Sequence, residues 1–455
     1  MNVREAVYRL LKMNRVAHAT LNPYGPGVVR IHLVPPKFSL KNTPPSVVIL
    51  NGKDIIPINM SWAILLHTFI DEVNLYEGKE ITEDKMEVVV RKTMERVKKV
   101  YHHTEVGKMK DDLWKIIRTL EDVAYGNEPS ENIGYMTLGE YAAHMTAPHR
   151  MDLMVSAMTR KGKWHCNQKC LHCYAAGQEQ AEVKELSTSE WKRVIDQCRK
   201  IGIPQLTFTG GEPTMREDLP EIIDYAKWFV TRLNTNGVKL TKELCQKLYD
   251  ASLDSVQITL YSADEKEHNT LVGANNFQST VEGIKNAIEA GLNISINTPL
   301  CKVNANYLET LKFLNGLGVK YVSCSGLIVT GNACQQESKC TQLNEEELYA
   351  ILNEATLYCA EEHIEISFTS PGWVSDDKLE TLGLAVPTCG ACLSNMAITP
   401  NGGVVPCQSW LSGKNLGNIL RQPWSFIWNS YRCKEIRKYA SSMEHNCPLK
   451  KENVR

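Results

Sequence analysis

Three cysteines, Cys166, Cys170 and Cys173, stand within eight residues of one another in WHCNQKCLHCYAAG. With fifteen cysteines in 455 residues, a C-x3-C-x2-C trio is expected by chance only roughly 0.02 times in such a chain. Three thiolates on so short a loop can wrap three corners of a cubane iron–sulfur cluster and leave the fourth iron open to an added ligand. A zinc site completed by His165 or His172 is the alternative that the spacing leaves open. Further on comes Thr209-Gly210-Gly211-Glu212-Pro213, whose glycines let the backbone approach a ligand and whose Glu212 carboxylate can accept from a cationic amine. A second group of thiols, Cys389, Cys392, Cys407, Cys433 and Cys447, lies near the C-terminus. Cys433 falls inside an amphipathic helical pattern and reads as a buried structural thiol. The cysteines at 198, 245, 301, 324, 334, 340 and 359 read mostly as small hydrophobes, although Cys334 and Cys340 could donate a proton or hydrogen atom.

The elements that must position these groups are legible as patterns. From Met151 to about residue 370, short β-rich runs (153–159, 205–210, 231–237, 255–262, 294–300 and 321–329) alternate with helical stretches (188–201, 217–230, 241–251, 277–290, 306–317 and 344–362). Six βα units in series predict a parallel sheet curled into a partial (β/α)6 barrel of the TIM type, with its site at the carboxyl ends of the strands. The cysteine trio then follows the first strand and the Gly-Gly-Glu turn ends the second. The first hundred residues read as strands 28–36, 46–52 and 54–58 followed by helices 61–73 and 84–101, an α+β unit. Ser61 and Asp84 sit where N-caps belong, and Asn51-Gly52 predicts a hairpin turn. Residues 106–150 read as a connector. The last region predicts a hairpin around Asn401-Gly402-Gly403 and one helix over 423–440.

Composition narrows the setting. The 51 Lys and Arg against 52 Asp and Glu leave a net charge of −1, so no global field draws the chain to nucleic acid or an anionic membrane. The odd cysteine count and the absence of a signal-peptide core predict a reduced, cytoplasmic protein. No apolar run approaches the ~20 residues of a membrane helix.

Together the CX3CX2C loop, the ring of His172 before its last cysteine, and the Gly210–Glu212 turn resemble the radical S-adenosylmethionine (SAM) superfamily. The resemblance implies that Cys166, Cys170 and Cys173 bind a [4Fe-4S] cluster whose unique iron holds SAM. It also implies that Gly210, Gly211 and Glu212 contact the SAM amino group, and that reductive cleavage releases a 5′-deoxyadenosyl radical. Thr259 and Asn297 match positions the family often uses for SAM. Where related peptide-modifying enzymes show Asp-Gly, this chain has Tyr261-Ser262. The C-terminal C-x12-G-x4-C spacing over Cys389, Gly402 and Cys407 resembles a SPASM/twitch extension, which implies one auxiliary iron–sulfur cluster on Cys389, Cys392, Cys407 and Cys447. A zinc-tied hairpin is the alternative there.

The N-terminal pattern resembles the winged-helix-like RiPP recognition element of ribosomal-peptide maturases. The expected organisation is a leader-binding domain over 1–105, a connector over 106–150, a radical SAM barrel over 151–370 and an auxiliary-cluster domain over 371–455. The function so implied is radical modification of a precursor peptide, forming a thioether or other crosslink, with flavodoxin or ferredoxin as reductant. Epimerisation, a small-molecule or protein side-chain substrate, and a non-enzymatic zinc module are the competing expectations.

Overall fold

The computed structural model describes residues 3–21, 29–35, 45–52, 54–76, 81–134, 136–442 and 446–450. The ends of the strand expected over 28–36 lie outside the described residues. Two compact units emerge: Met1–Ala147 with 199–204 and 228–230, and the remainder of the chain.

The first unit begins with helix α1 (Val3–Leu11) and a four-stranded antiparallel meander, β1 (Ala17–Leu21), β2 (Val29–Val34), β3 (Ser46–Leu50) and β4 (Asp54–Ile58), in that order. Strand β1, AHATL, was not expected, because it lacks the β-branched density that marks its neighbours. Asn51 and Gly52 both hold positive φ, 50° and 68°, as a tight turn between β3 and β4 requires. Helix α2 (Met60–Val73) is apolar on most of its circumference and buries ten residues, as a central core helix must. Its N-cap is Asn59, whose side chain accepts from Trp62 N, not the expected Ser61. Thr82 rather than Asp84 precedes α3 (Glu83–Lys98), leaving Glu83 and Asp84 in the first turn, where they favour the helix dipole. Helix α4 (Val106–Ala124) buries Met109, Leu113, Ile116, Ile117 and Leu120 in the core shared with α2 and α3, so this stretch packs as core rather than as a connector. The short α5 (Leu138–Ala142) follows, closed by a capping box between Thr137 and Glu140.

In the second unit the expected strands appear as β5 (Arg150–Ser156), β8 (Gln205–Gly210), β9 (Val230–Thr235), β10 (Ser255–Thr259), β11 (Ile294–Pro299) and β12 (Tyr321–Ser325). Between β5 and β8 lies a small antiparallel ribbon, β6 (Thr159–Arg160) with β7 (Lys163–Trp164). Two further strands join the same sheet. The short β13 (Glu365–Phe368) pairs in parallel with β12, and β14 (Asn395–Ile398), from the cysteine-rich region, pairs in parallel with β5. The expected hairpin is β14 with β15 (Gly403–Val405), extended by β16 (Gly417–Asn418). The sheet runs β13-β12-β11-β10-β9-β8-β5-β14-β15-β16. It is an α/β architecture with a parallel-strand core, as a partial barrel demands. Met396, Ala397 and Ile398 are wholly buried, so the C-terminal region is part of the barrel's core.

The connecting helices are α6 (Thr188–Ile201), α7 (Leu219–Tyr225), α8 (Lys242–Asp250), α9 (Glu265–Val272), α10 (Phe277–Glu289), α11 (Tyr307–Gly316), the one-turn α12 (Gln336–Lys339), α13 (Glu345–Glu361) and α14 (Asp376–Thr381). Helix α9 was not expected; Asp264 caps it through Glu267 N and Gly273 ends it at φ 62°. The long C-terminal helix is two, α15 (Trp424–Trp428) and α16 (Tyr431–Ser441), because Ser430 caps the second. Among the described residues no helix is long and apolar enough to cross a membrane.

Leu113→Ala on α4 should lower stability by about 2–5 kcal/mol, whereas Leu357→Ala, on an exposed position, should cost less than about 0.5 kcal/mol. Urea unfolding of the two variants checks this, and equal losses would deny α4 its core role.

Candidate active site: a clamped cysteine loop and a C-terminal thiol group

The ribbon β6/β7 delivers the chain into the cysteine loop, where Trp164 Nε1 donates to Gln168 O at 2.8 Å and His165 N to Met158 O at 2.8 Å. Two segments then grip the loop. On one side, at the end of α9, Val272 O and Leu271 O accept from Lys169 N and Leu171 N at 2.9 and 2.8 Å, and Gln168 Nε2 donates to Asn276 Oδ1. A Cβ on Gly273 would stand 2.5 Å from Lys169 O, so glycine is required both for the turn and for this approach. On the other side, after β12, Asn332 donates its backbone N to Cys173 O (2.9 Å) and its Nδ2 to Cys170 O (3.1 Å). Ser338 Oγ donates to Leu171 O. The cysteine backbone is therefore fixed by bonds that do not involve the thiols.

Cys166, Cys170 and Cys173 are partly buried. Burial pushes the Cys166 thiol up to about 12, with Glu212 and Cys173 adding to the rise. It drives Cys170 well above the usual range, reinforced by the other two cysteines, and raises Cys173. Three mutually repelling thiols in a low-dielectric loop are poor anions on their own. A cationic iron cluster would supply the charge that ionises them, so the donor set fits.

The Gly-Gly-Glu turn is tied into the sheet on which it stands. Gly210 has φ +142° and a Cβ there would overlap the Ser156 carbonyl, while Gly211 N donates to Ser156 O at 2.9 Å. The glycines are thus demanded by close packing on β5. Gly211 O faces the loop, 3.6 Å from Cys166 Sγ. Glu212 is 1 % exposed, and its carboxylate is occupied within the protein. Oε1 accepts from Thr214 N (2.9 Å), Thr214 Oγ1 (2.5 Å) and Thr235 Oγ1 (2.6 Å), and Oε2 from Asn236 N (2.8 Å). Burial raises its pKa despite these donors. Its side chain joins the end of β8 to the end of β9. Asn236 carries the connection on, its Nδ2 donating to Asn167 Oδ1 at 2.6 Å beside Cys166. Thr235, Asn236 and Asn167 were not anticipated; the Thr-Asn-Gly ending of β9, with Gly237 at φ 78°, was the available signal.

His172 is buried; its Nε2 pairs with Thr341 Oγ1 at 2.7 Å, and burial lowers its pKa to about 4. Thr259 and Asn297 face each other in register on β10 and β11, and Ser323 of β12 is opposite Asn297, donating to its Oδ1 at 3.0 Å. These three form a polar row across neighbouring strands. Tyr261 and Ser262 are committed elsewhere, Tyr261 N to His268 Nδ1 and Ser262 Oγ to Glu267.

The C-terminal thiols influence one another in pairs. Burial raises Cys407 to about 12, with Cys447 and Cys389 adding to it, and Cys447 to about 11, with Cys389 adding. Cys392, held at φ 55°, is hydrogen-bonded to Cys433, which pushes Cys392 far up and pulls Cys433 down; Arg437 lowers Cys433 further. Cys433 on α16 is wholly buried, as expected of it, and its Sγ accepts from Arg437 Nη1 at 3.4 Å.

Residues 165–314 match the radical SAM superfamily and residues 389–449 match SPASM, an iron–sulfur cluster-binding domain. The chain thus carries a radical SAM domain followed by a SPASM domain. The cofactors that go with this pair are a [4Fe-4S] cluster with SAM and auxiliary iron–sulfur, in place of zinc. In sequence the chain is 35% identical over 161 residues to an Fe-coproporphyrin III synthase of Methanosarcina barkeri, covering 35% of this chain and 39% of that one. It is 38% identical over 142 residues to a probable GTP 3′,8-cyclase of Methanococcus maripaludis (30% and 46%). To an AdoMet-dependent heme synthase of Oleidesulfovibrio alaskensis it is 30% identical over 241 residues (50% and 60%). The chain therefore spans less than two thirds of the length of these relatives. In fold it is similar to SuiB of Streptococcus suis bound to SAM, with a TM-score of 0.60 at 14% identity over 90% of this chain and 94% of SuiB. It is also similar to anSMEcpe with bound AdoMet, at a TM-score of 0.52, 15% identity, and 64% and 84% coverage.

Glu212→Gln should cost about 1–3 kcal/mol, since an amide NH2 must then face a donor, and should reduce retained iron. Urea unfolding and iron analysis check both; unchanged stability would contradict the bonding described. His268, wholly buried with Nδ1 accepting from Tyr261 N, has its pKa lowered to about 4 by burial. Its unfolded ring titrates near ~6.5, so the neutral ring's contribution is full above ~6.5. That contribution is lost as pH falls toward about 4, by on the order of 3 kcal/mol. His268→Gln should flatten stability against pH across that window, and an unflattened curve would refute the assignment.

Proposed function

We propose that this chain is a radical SAM peptide maturase, in which Cys166, Cys170 and Cys173 hold the SAM-binding cluster and Cys389, Cys392, Cys407 and Cys447 an auxiliary one. The observation that carries the peptide substrate is the likeness of fold to SuiB along 90% of this chain, N-terminal unit included; SuiB also has a structure bound to its precursor peptide SuiA. When bound and reduced by a flavodoxin- or ferredoxin-like donor, the cluster with SAM supplies a 5′-deoxyadenosyl radical that abstracts a substrate hydrogen.

The chain's own residues bind, orient and shield. The Gly210–Glu212 turn, held by the Glu212–Asn236–Asn167 network, fixes a backbone rim beside Cys166. Thr259, Asn297 and Ser323 offer hydroxyl and amide groups in one row for the polar atoms of SAM. Met154, Met158, Ala175, Val405 and Leu411 pack against Cys166 and Cys173 with Trp164 and Tyr174, a wall that excludes water from a reactive radical. Forming a thioether or other crosslink removes two hydrogens, so one electron remains after the first abstraction and a proton is lost; the auxiliary cluster is assigned to accept that electron. The leader peptide is assigned to the N-terminal unit by strand addition. Each edge strand has one carbonyl already engaged, Ile55 O of β4 by Met136 N and His18 O of β1 by Asn74 Nδ2, but β4 carries Pro57 and so lacks one ladder donor, whereas β1 has no proline. The leader is therefore assigned to β1.

The sequence relatives favour a second reading, in which the substrate is a small molecule such as a tetrapyrrole or nucleotide, since those proteins are named for such substrates. Co-expression with a small precursor peptide encoded nearby separates the two. Loss of two hydrogens per event in the peptide, absent with Cys166→Ala, supports crosslinking, and deuterium uptake from D2O without mass loss supports epimerisation. An unmodified peptide with intact 5′-deoxyadenosine production would count against the maturase.

A further inference from the structure

Asn167 stands between Cys166 and Cys170 on the cysteine loop, and a run of bonds that starts on the backbone holds its carboxamide in one orientation. The amide N–H of Val238 can only donate, and it donates to Asn236 Oδ1 at 3.1 Å. That contact fixes which end of the Asn236 carboxamide is oxygen, so the opposite end is the NH2. This NH2 donates to Asn167 at 2.6 Å, and the atom that receives it must be Oδ1. The remaining end of Asn167 is therefore Nδ2, which can only donate. Asn236 is itself pinned, its backbone N donating to Glu212 Oε2, so the orientation is inherited from the end of β9. Asn167 Nδ2 is shut away from solvent and, among the described residues, no acceptor meets it. A buried amide donor left unpaired is destabilising, and native proteins keep one where an ion or a redox or catalytic task calls for it. The thiols of the loop are its neighbours: Cys166 Sγ lies 3.9 Å from Asn167 Oδ1.

We propose that Asn167 Nδ2 donates a hydrogen bond to a sulfur of the cluster held by Cys166, Cys170 and Cys173, and so makes that cluster easier to reduce. This rests on the assignment of those three cysteines made above. A cubane bound by three thiolates is anionic overall, and its inorganic and cysteinyl sulfurs accept hydrogen bonds. The loop that carries Asn167 is the one that wraps the three cysteine-bound corners, whereas SAM takes the fourth, so the acceptor belongs to the cluster. One added electron makes the cluster more negative, which strengthens an N–H bond to its sulfur and favours the reduced state. Hydrogen bonds to the sulfurs are among the factors that set a cluster's potential. The carboxamide stays neutral throughout, and no atom is transferred. Asparagine suits the place because Oδ1 takes the bond from Asn236 while Nδ2 offers one, a division of roles that leucine, of similar size, lacks. The same residue thus joins the cysteine loop to the sheet and turns a donor toward what the loop holds.

The test uses the full chain, loaded anaerobically, reduced, and observed at the EPR signal that SAM alters. With asparagine carrying heavy nitrogen in its side chain, pulsed EPR of the unmutated protein without SAM should show a coupling to the label on that signal, and Asn167→Ala should abolish it. Asn167→Ala should keep its iron yet lower the reduction equilibrium constant roughly tenfold, a potential ~59 mV more negative for one electron. Should the variant fail to fold or lose iron, the labelled unmutated chain decides alone. Absence of the coupling in that chain, or its appearance only once SAM is added, would overturn the proposal. So would an unmoved potential in folded, iron-loaded Asn167→Ala. If no signal responds to SAM, the assignment of the first three cysteines fails, and the proposal with it.

Discussion

A single buried carboxylate, that of Glu212, fixes the geometry at the mouth of the barrel. An ionised carboxyl removed from water is costly unless donors surround it, and four do, two from its own turn and two from the end of β9. The carboxylate therefore binds the ends of two neighbouring strands into one polar knot. Because Asn236 belongs to that knot and also donates to Asn167, the position of the cysteine loop is linked to the register of the sheet. The two glycines before Glu212 complete the constraint, since a side chain at Gly210 would overlap the backbone of β5.

From the opposite side the loop is held through its carbonyls, by Asn332 and Ser338 after β12, and through its amides by the end of α9. These grips leave the thiols free of structural duty, and the thiols are held where a bare anion is disfavoured. A protein that must bind a cationic cluster and then reveal one iron to a ligand needs both properties: a rigid backbone, and sulfurs whose charge is stabilised only by the metal. The second thiol group follows the same logic with a different scaffold. There β14 enters the barrel sheet beside β5, so Cys389, Cys392 and Cys407 are tied to the strand that leads into the first loop.

Much of this was legible in the sequence wherever the signal was local. The cysteine spacing and the Gly-Gly-Glu turn mark the site without reference to anything distant, and the alternation of β-rich and helical runs marks the barrel strands. What the sequence hides is non-local. That Glu212 also ties β8 to β9 is not legible, because its partners, Thr235 and Asn236, lie a whole βα unit away. Cys433 reads as a packing thiol because helical periodicity reports that a face is buried without saying what it meets. Strands β1 and β13 are short and carry few β-branched residues, so tertiary pairing rather than propensity creates them. Residues 106–150 read as a connector because a polar Pro/Gly segment follows the helix, whereas the apolar stripe of α4 packs in the core.

Whether two thiol groups serve two clusters, of which only one meets SAM, is open to one direct measurement. Anaerobically loaded full-length protein, reduced and observed by low-temperature EPR with and without SAM, should show two [4Fe-4S] signals, one altered by SAM and one indifferent to it. A spectrum in which SAM alters no signal would mean that neither thiol group holds a SAM-binding cluster.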